Sequence, residues 1–217
     1  IAHDLKTPLT RLRHRAEAAL STKQTTTEYK SALEDMIAQS DQLIRTFNAI
    51  LMISRLEAGY SSERVEEVNL TAMAQDVAEL YEPVAEDAGA KLNFSGSEQF
   101  NVQGNRELLS QTLSNILDNA IKYSVGSEKP EISVSVTSVA NAPCIRVSDN
   151  GPGIAQEDLE RVTERFVRLE KSRNAPGSGL GLSLAKAVMK LHKGELRLES
   201  KGRGLNVELL FPAVIAP

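Results

Sequence analysis

The first sixty residues carry apolar side chains in a helical rhythm that one polar stretch interrupts. Leu5, Leu9, Leu12, Ala16 and Ala19 recur every three or four residues, which predicts a first amphipathic helix. After STKQTTT, a second helix is predicted from about 27 to 56. Its apolar stripe is wider than one neighbouring helix can cover, and it comprises Leu33, Ile37, Ile44, Phe47 and Leu51, with Met36, Leu43 and Ile50 along one side. We therefore expect an all-α helical hairpin that pairs with a second copy as a dimeric four-helix bundle; burial against the rest of the same chain is the alternative.

Beyond residue 60 the pattern changes to a mixture of strands and helices. EAGYSSER is typical of a linker, with Gly59 closing the second helix. RVEEVNL predicts a strand that enters a helix capped by Asn69 and ending near Gly89. Further helices are predicted in NRELLSQTLSNILDNAIKYS and GLGLSLAKAVMKLHKG, and further strands in KLNFSG, FNVQG, EISVSVTSV, CIRVSDN, ELRLES and LNVELLF. Because the late strands come in hairpin order, we predict an α+β domain with one antiparallel-rich sheet and helices on one face. The predicted domains are 1–60 and 64–217.

Composition narrows the class of protein. The 217 residues are 41% hydrophobic, enough for a real core, and the net charge of −4 argues against general nucleic-acid binding. The one cysteine, Cys144, lies in an apolar strand pattern and is expected to be buried and inert. No apolar run approaches the roughly 20 residues of a membrane span. The chain begins at Ile1, within a helical pattern and without an initiator methionine, so we expect a piece of a longer protein.

Two segments of the second domain place polar groups where a ligand could use them. In NILDNAIKYS, Asn115 and Asn119 lie one helical turn apart on one face. They are either core amides satisfied by nearby backbone or oxygen ligands for Mg²⁺. In VSDNGPGI, a strand runs into Asp149 and then Gly-Pro-Gly. This is either a surface turn or the floor of a base-binding site, with Asp149 accepting from an exocyclic amine.

Two further segments carry glycines and cations. In GSGLGLSLAKAV, glycines lead directly into a helix, whose N-terminal N–H groups can bind phosphate. The segment lacks the Gly-Lys-Ser/Thr ending of a P-loop and follows no strand, so a Rossmann turn is disfavoured. ERFVRLEKSRN is a charged loop that forms either a solvated surface or a cationic cover for polyphosphate, through Arg165, Arg168, Lys171 and Arg173.

Together and in this order, these segments resemble the ATP-binding domain of sensor histidine kinases, of the ATPase superfamily shared with type II topoisomerases and heat-shock chaperones. NILDNAIKY is similar to the family's N box, SDNGPGI to its G1 box, ERFVR to its F box and GSGLGL to its G2 box. HDLKTPLTRLR resembles the H box of the dimerisation and phosphoacceptor domain, with Asp4 in place of the commoner glutamate. Lys193 stands where a glycine is often seen. The resemblance implies a helical hairpin followed by an α+β two-layer sandwich of the Bergerat type.

The resemblance also implies roles for individual residues. Asn119 would ligate Mg²⁺, and Asn115 would support the metal and the phosphates. Lys122 would reach the phosphates, Tyr123 would pack against the nucleotide, and Asp149 would read the adenine amine. The remaining implied nucleotide-binding positions are Gly151, Gly153, Arg168, Gly177, Gly179, Leu180 and Gly181. In the related hydrolytic ATPases a water-activating glutamate stands where this chain has Asn115. An asparagine cannot act as a base, which fits transfer of the γ-phosphoryl group to a side chain.

Three histidines compete for the role of phosphoacceptor. His3 has Asp4 beside it, and a carboxylate bonded to one ring N–H leaves the other nitrogen as the nucleophile. His14 sits between two arginines, and we expect no acid at hand. His192 ends a helix, where a cation is favourable, and we expect a structural role. The interpretation is therefore that His3 is the nucleophile and Asp4 orients it. Thr7, one turn from His3, either positions a water for phosphatase activity or bonds back to the helix.

The resemblance implies an ATP-dependent protein-histidine kinase with ATP and Mg²⁺ as cofactors. His3 would be phosphorylated in line and would pass the phosphoryl group to an aspartate of a response-regulator receiver domain, with phosphatase activity towards that regulator. Implied partners are a second copy of the chain and the regulator, with no nucleic acid. The chain would be the cytoplasmic portion of a bacterial inner-membrane sensor that meets the membrane only through an N-terminal sensor part. The alternatives are a nucleotide-gated binding module without phosphotransfer and an ATPase of the chaperone or topoisomerase kind.

Overall fold

Two long helices form the N-terminal part of the computed structural model, which describes residues 2–21, 25–57, 65–169, 178–200 and 203–213 and leaves out the side chains of 2–8, 11 and 42. Helix α1 spans Ala2–Ser21 and α2 spans Thr26–Glu57. A capping box begins α2: Glu28 Oε2 accepts the Thr25 N–H at 2.7 Å, and Thr25 Oγ1 accepts the Glu28 N–H at 3.4 Å. Arg15 Nη1 lies 2.5 Å from Asp35 Oδ2 and joins the helices. The predicted hairpin is confirmed.

The second part of the chain alternates strands and helices, as predicted. Its elements are β1 (Glu66–Asn69), α3 (Leu70–Asp87), β2 (Lys91–Ser95), β3 (Asn101–Gly104), α4 (Arg106–Ser124), β4 (Glu131–Val139), β5 (Ala142–Asp149), α5 (Gly181–Leu191), β6 (Glu195–Glu199) and β7 (Asn206–Leu210). Two 3₁₀ turns, Gln156–Asp158 and Arg161–Thr163, follow β5. The expected cap of α3 is present, because Asn69 accepts the Ala72 N–H at 3.0 Å. None of the helices in the described ranges has both the length and the apolar character that a membrane span requires.

The strands form a five-stranded sheet in the order β2-β4-β5-β7-β6, antiparallel except for the β2–β4 pair. Alternate residues of β4, Ile132, Val134 and Val136, are buried against the helices, so the apolar alternation creates the core. The α+β two-layer prediction is confirmed. The prediction of a single sheet was wrong, because β1 and β3 pair with each other as a separate antiparallel ribbon. The predicted linker EAGYSSER starts at Glu57, which is the last residue of α2; its other residues, with Gly59 and the boundary near 60–64, lie outside the described residues.

Helix α2 packs against the second part through its C-terminal half. Ile50 and Ile53 are buried in the common core, and α2 contacts α5. Glu57 forms an ion pair with Arg165 across the same junction. The predicted apolar stripe of α2 faces outward in the single chain, where its exposed members are Leu33, Ile37, Ile44, Phe47 and Leu51. The hairpin therefore has one face on the second domain and another that a further partner can cover.

Helices α3 and α5 end in the same way with different residues. At each end the second residue past the cap donates to a carbonyl one turn back: Ala90 N–H to Ala85, and Gly194 N–H to Met189, both at 2.8 Å. The residue between cap and donor must adopt a left-handed backbone. In α3 it is Gly89, with φ of 75°, whereas in α5 it is Lys193, with φ of 55°. The lysine at the family's glycine position is therefore held in a conformation that disfavours side chains.

His192 follows α5 and is buried, with a structural role as expected but not as a cation. Its Nε2 accepts the main-chain N–H of Asn105 at 3.0 Å, so this nitrogen carries no proton. Nδ1 therefore holds the proton and donates to the Val188 carbonyl at 2.8 Å. Burial lowers the pKa of His192. The expectation of a charged histidine at the helix end was wrong, because the ring binds one donor and one acceptor in its neutral form.

Candidate functional site

Helix α4 carries the paired asparagines on the wall of a large cavity. Leu109, Leu113 and Ile116 recur on its buried face and fix its rotation in the core. Asn115 and Asn119 are then half-buried and line a cavity of about 1080 Å³. This volume is at the upper end of the range for small-molecule sites, which run to roughly 1,000 Å³. The prediction that the two amides share a face is confirmed, and both are presented to space that a ligand can occupy.

Asp149 stands at the end of β5, at the other side of the same cavity. Its Oδ1 accepts the Gly151 N–H at 2.8 Å, which fixes the carboxyl at the start of the glycine turn. Burial raises the pKa of Asp149, and the Gly151 hydrogen bond acts in the opposite direction. A side chain at Gly151 would lie 2.6 Å from the Tyr123 carbonyl oxygen. The glycine therefore allows the turn to approach the end of α4.

The glycine turn after β5 is held from two directions. Asn150 spans the loop before β4, donating to the Lys129 carbonyl at 2.6 Å and accepting the Glu131 N–H at 2.9 Å. Gly153 has φ of 70°, and a Cβ there would lie 2.5 Å from Ser200 Oγ. Gly153 lines the cavity, whereas Gly151 supports it from behind. The segment is a constrained turn that faces the cavity rather than a loose surface turn.

Lys122 and Tyr123, at the end of α4, lie next to each other at the cavity. Lys122 Nζ lies 3.1 Å from the Tyr123 hydroxyl and 4.6 Å from the centre of its ring. Both residues line the cavity, so a cation and an aromatic face are available beside the asparagines. Arg168 lines it from the segment that follows the 3₁₀ turns.

The glycines at the start of α5 form another wall of the cavity. Gly179 has φ of 70°, and its carbonyl accepts the Phe166 N–H at 3.0 Å, which ties this segment to the one containing Arg168. A Cβ at Gly181 would lie 3.3 Å from Asn119 Nδ2, so the start of α5 lies close to α4. Leu180, which lies between Gly179 and Gly181 in sequence, is buried and also lines the cavity. Gly177, Lys171 and Arg173 lie outside the described residues.

The predicted phosphoacceptor residues lie on α1, where the structure describes only the backbone of His3, Asp4 and Thr7. The Arg15–Asp35 pair sets the register of the hairpin. His3 is twelve residues before Arg15, and Phe47 is twelve residues after Asp35, so His3 lies at about the level of Phe47. This is the part of α2 that borders the cavity.

His14 has an acidic neighbour that the sequence analysis did not anticipate. Its Nδ1 lies 3.4 Å from Glu17 Oε2, one helical turn later, so the expectation of no acid at hand was wrong. Glu17 also pairs with Arg13 at 2.7 Å, and all three side chains are largely exposed. His14 therefore belongs to a solvated charge cluster on α1.

One wall of the cavity comes from α2, which the sequence analysis did not include in the site. The lining residues recur at helical spacing on one face: Arg45, Asn48, Ala49 and Met52. Their face differs from the exposed apolar stripe, and nothing in the local pattern connects it with residues 115–181. Only the tertiary packing of α2 on α5 brings it to the cavity.

The donor set at the cavity suits a hard cation that arrives with its own anionic ligands. Asn115 and Asn119 offer neutral amide oxygens. Within the described parts of the chain, no three His, Cys, Asp or Glu side chains cluster as a metal site would require. Mg²⁺ is commonly held by few protein oxygens together with substrate phosphates and water. The asparagine pair therefore fits Mg²⁺ bound together with a polyphosphate.

Two family models match the chain in the order of its two parts. Residues 1–59 match the His Kinase A (phospho-acceptor) domain, and residues 104–215 match the histidine kinase-, DNA gyrase B-, and HSP90-like ATPase family. Among curated proteins, the sensor protein IrlS of Burkholderia pseudomallei is 34% identical over 203 residues, which is 93% of this chain and 43% of IrlS. The chain spans less than half the length of the first curated relatives that it matches.

Solved structures share the whole fold. The Acinetobacter baumannii histidine kinase AdeS superposes on this chain with a TM-score of 0.77 at 22% identity. The superposition covers 98% of this chain and 98% of AdeS. The histidine kinase ThkA, in its complex with the response regulator protein TrrA, superposes with a TM-score of 0.76 at 21% identity, covering 98% of this chain and 60% of that one. At these identities the similarity concerns the fold, from the helical hairpin to the last strand.

Proposed function

Because the chain belongs to the sensor histidine kinases, we propose that it binds Mg·ATP in the cavity between α4, α5 and α2 and phosphorylates its own His3. The observation that carries the proposal is the convergence of four polar side chains on one cavity from helix α4 and strand β5, namely Asn115, Asn119, Lys122 and Asp149. The sequence match of residues 1–59 to a phospho-acceptor domain supports the choice of the hairpin as acceptor. The domain division 1–60 and 64–217 is part of this proposal.

In the proposed complex each end of the nucleotide has its own partners. The Asp149 carboxylate accepts from the exocyclic amine of adenine, and the Gly151 N–H keeps that carboxyl oriented. Gly153, Gly177, Gly179, Leu180 and Gly181 shape the remaining walls. Lys122 and Arg168 bind phosphate, and Tyr123 packs against the nucleotide. Mg²⁺, when bound through Asn119 and Asn115, neutralises the phosphates.

The proposed reaction is in-line displacement at the γ-phosphorus. A ring nitrogen of His3 forms the new N–P bond while the bond to the β–γ bridging oxygen breaks and ADP leaves. Asp4 accepts a hydrogen bond from the N–H of the other ring nitrogen, which fixes the tautomer and leaves the lone pair of the attacking nitrogen free. Asn115 cannot activate water, and this protects ATP from hydrolysis while His3 attacks.

The fate of the phosphoryl group completes the proposal. The phosphohistidine passes it to an aspartate of a response-regulator receiver domain, and Thr7 positions the water that later hydrolyses the regulator's phospho-aspartate. ThkA, which shares the fold, forms a complex with the response regulator protein TrrA, and this supports such a partner. The exposed stripe of α2 supports assembly as a homodimer. We place the chain in the cytoplasm as part of a bacterial inner-membrane sensor, by analogy with its sensor-protein relatives.

Labelling with γ-³²P-ATP tests the proposal. The wild type should become an acid-labile phosphoprotein, and His3→Gln should carry no label. His14→Gln is the matched control, because its side chain is 71% exposed on the same helix, and it should be labelled normally. Asp149→Asn should lose most labelling through weaker ATP binding.

Other outcomes would contradict parts of the proposal. Label that persists in His3→Gln would overturn the choice of acceptor. ATP binding by the wild type without label would favour the nucleotide-gated binding module, and steady phosphate release would indicate a hydrolytic ATPase. Thr7→Ala should retain autophosphorylation and lose phosphatase activity towards a phosphorylated receiver domain; retention of both would exclude the proposed role of Thr7.

A further inference from the structure

Helix α2 contributes a positive charge to the cavity from outside the ATP-binding domain. Arg45 lies on the face that also carries Asn48, Ala49 and Met52, and all four line the cavity. This face lies roughly 120° around the helix axis from the exposed apolar stripe. A second chain that covers the stripe therefore leaves Arg45 facing the cavity.

An acidic side chain lies within reach of the Arg45 charge. This charge acts on Asp118, which precedes Asn119 on α4 and also lines the cavity. The Tyr81 hydroxyl hydrogen-bonds to the same carboxylate from α3. Desolvation raises the pKa of Asp118, and both neighbours oppose that shift. Arg45 and Asp118 therefore lie near each other at the cavity, beside the asparagine pair.

Of the acids that line the described part of the cavity, Asp118 is the one that neither pairs with Arg161 nor lies at the end proposed for adenine. Among the described lining residues the cations are Arg45, Lys122, Arg161 and Arg168, and the acids are Asp118, Asp149 and Asp158. Arg161 is paired with Asp158 at 3.2 Å, and Asp149 lies at the end proposed for adenine. Asp118 is then the acid closest in sequence to the proposed Mg²⁺ ligand. A triphosphate bound here lies near the Asp118 carboxylate and near the Arg45 guanidinium, whose charge acts on that carboxylate.

We propose that Arg45 is a phosphate-positioning residue that exchanges the Asp118 carboxylate for the polyphosphate of the bound nucleotide. The inference rests on the proposed function and adds a ligand contact from the hairpin itself. A guanidinium binds phosphate oxygens through paired N–H groups, so the polyphosphate offers Arg45 stronger, bidentate contacts than the nearby carboxylate. Arg45 is two residues from Phe47, the level of His3 on α1, so the contact links the phosphates to the helix pair that carries the acceptor.

Calorimetric titration of the full 217-residue chain tests the exchange. The probes are β,γ-imido-ATP with Mg²⁺, which contains the polyphosphate, and adenosine, which does not. Arg45→Gln should weaken imido-ATP binding about tenfold, as for loss of one charge-assisted hydrogen bond, and should leave adenosine binding unchanged. Arg45→Lys should restore part of the affinity. Asp118→Asn should strengthen imido-ATP binding several-fold, because it removes the competing charge, without affecting adenosine.

Arg55→Gln is the control, since Arg55 is exposed on the same helix and does not line the cavity. It should match the wild type with both probes. Unchanged imido-ATP binding in Arg45→Gln, or an equal loss for adenosine, would overturn the inference while leaving the proposed kinase function intact. Failure of the wild type to bind either probe would overturn the proposed function and this inference with it.

Discussion

His192 Nε2 accepts the main-chain N–H of Asn105 at 3.0 Å and so joins the end of α5 to the residue that caps α4. Asn105 in turn accepts the Leu108 N–H at 2.8 Å through its side chain. The buried ring therefore fixes the start of the helix that carries both cavity asparagines. A Cβ at Gly104 would lie 2.7 Å from the ring, which shows how closely the strand before α4 packs on it.

This neutral histidine predicts a loss of stability in mild acid. The unfolded chain protonates His192 near pH 6.5, whereas burial lowers its pKa in the folded state. The folded chain then binds fewer protons, so the free energy of unfolding falls as the pH drops below about 6.5 and is unaffected above it. His192→Gln retains an acceptor near Nε2 but cannot titrate, so its unfolding curve should depend less on pH between about 6.5 and 5. Denaturant unfolding at several pH values measures this, and an unchanged pH dependence would exclude the assignment.

The left-handed residues that follow α3 and α5 predict opposite changes in stability when glycine is removed from one position and introduced at the other. Lys193→Gly should stabilise the protein by about 0.5–1 kcal/mol, because glycine relieves the left-handed backbone at φ of 55°. Gly89→Ala should destabilise it by about 1 kcal/mol, since φ there is 75° and no atom lies close enough to clash with the new Cβ. Thermal unfolding should show shifts of a few degrees in opposite directions. A lower Tm for Lys193→Gly would mean that the lysine side chain makes a stabilising contact that outweighs the strain.

A substitution at Gly181 should change nucleotide binding more than it changes the stability of the protein. Alanine is favoured over glycine by up to about 1 kcal/mol inside helices, but Gly181 is the first residue of α5, so Gly181→Ala should change the Tm little. The new Cβ would lie 3.3 Å from Asn119 Nδ2, however, and would displace that amide from its position at the cavity wall. We expect Mg²⁺-dependent nucleotide affinity to fall several-fold, measured by titration with and without Mg²⁺. Equal effects under both conditions would show that Asn119 does not contribute through the metal.

The exposed stripe of α2 predicts the oligomeric state. Ile37 is 62% exposed in the single chain, and a glutamate there should place a charge in the proposed dimer interface. Ile37→Glu should shift sedimentation equilibrium from dimer towards monomer. Leu80→Glu is the control, because Leu80 is 69% exposed on α3, away from the stripe, and it should leave the dimer intact. A monomeric wild type would contradict the proposed assembly.

Local patterns predicted nearly every element, because each helix and strand carries its own periodicity and capping residues. Asn69 and Asn105 are examples, because each caps the helix that begins directly after it. The pairing of β1 with β3 could not be read in this way, since either strand could have joined the main sheet. The charge state of His192 depends on Asn105, 87 residues away, and Arg45 reaches the cavity only through packing between domains. These properties follow from tertiary contacts that no local spacing encodes.

The burial of Cys144 has a practical consequence. It is the chain's one thiol and is fully enclosed, and desolvation raises its pKa to about 11. At neutral pH the wild type therefore has no accessible thiolate for maleimide or disulfide reagents. A cysteine introduced on α1 or α2 will react selectively without removal of the native one. Spectroscopic probes and cross-linkers can thus be attached at single chosen positions, and movement of the hairpin relative to the ATP-binding domain can be followed in an otherwise native chain.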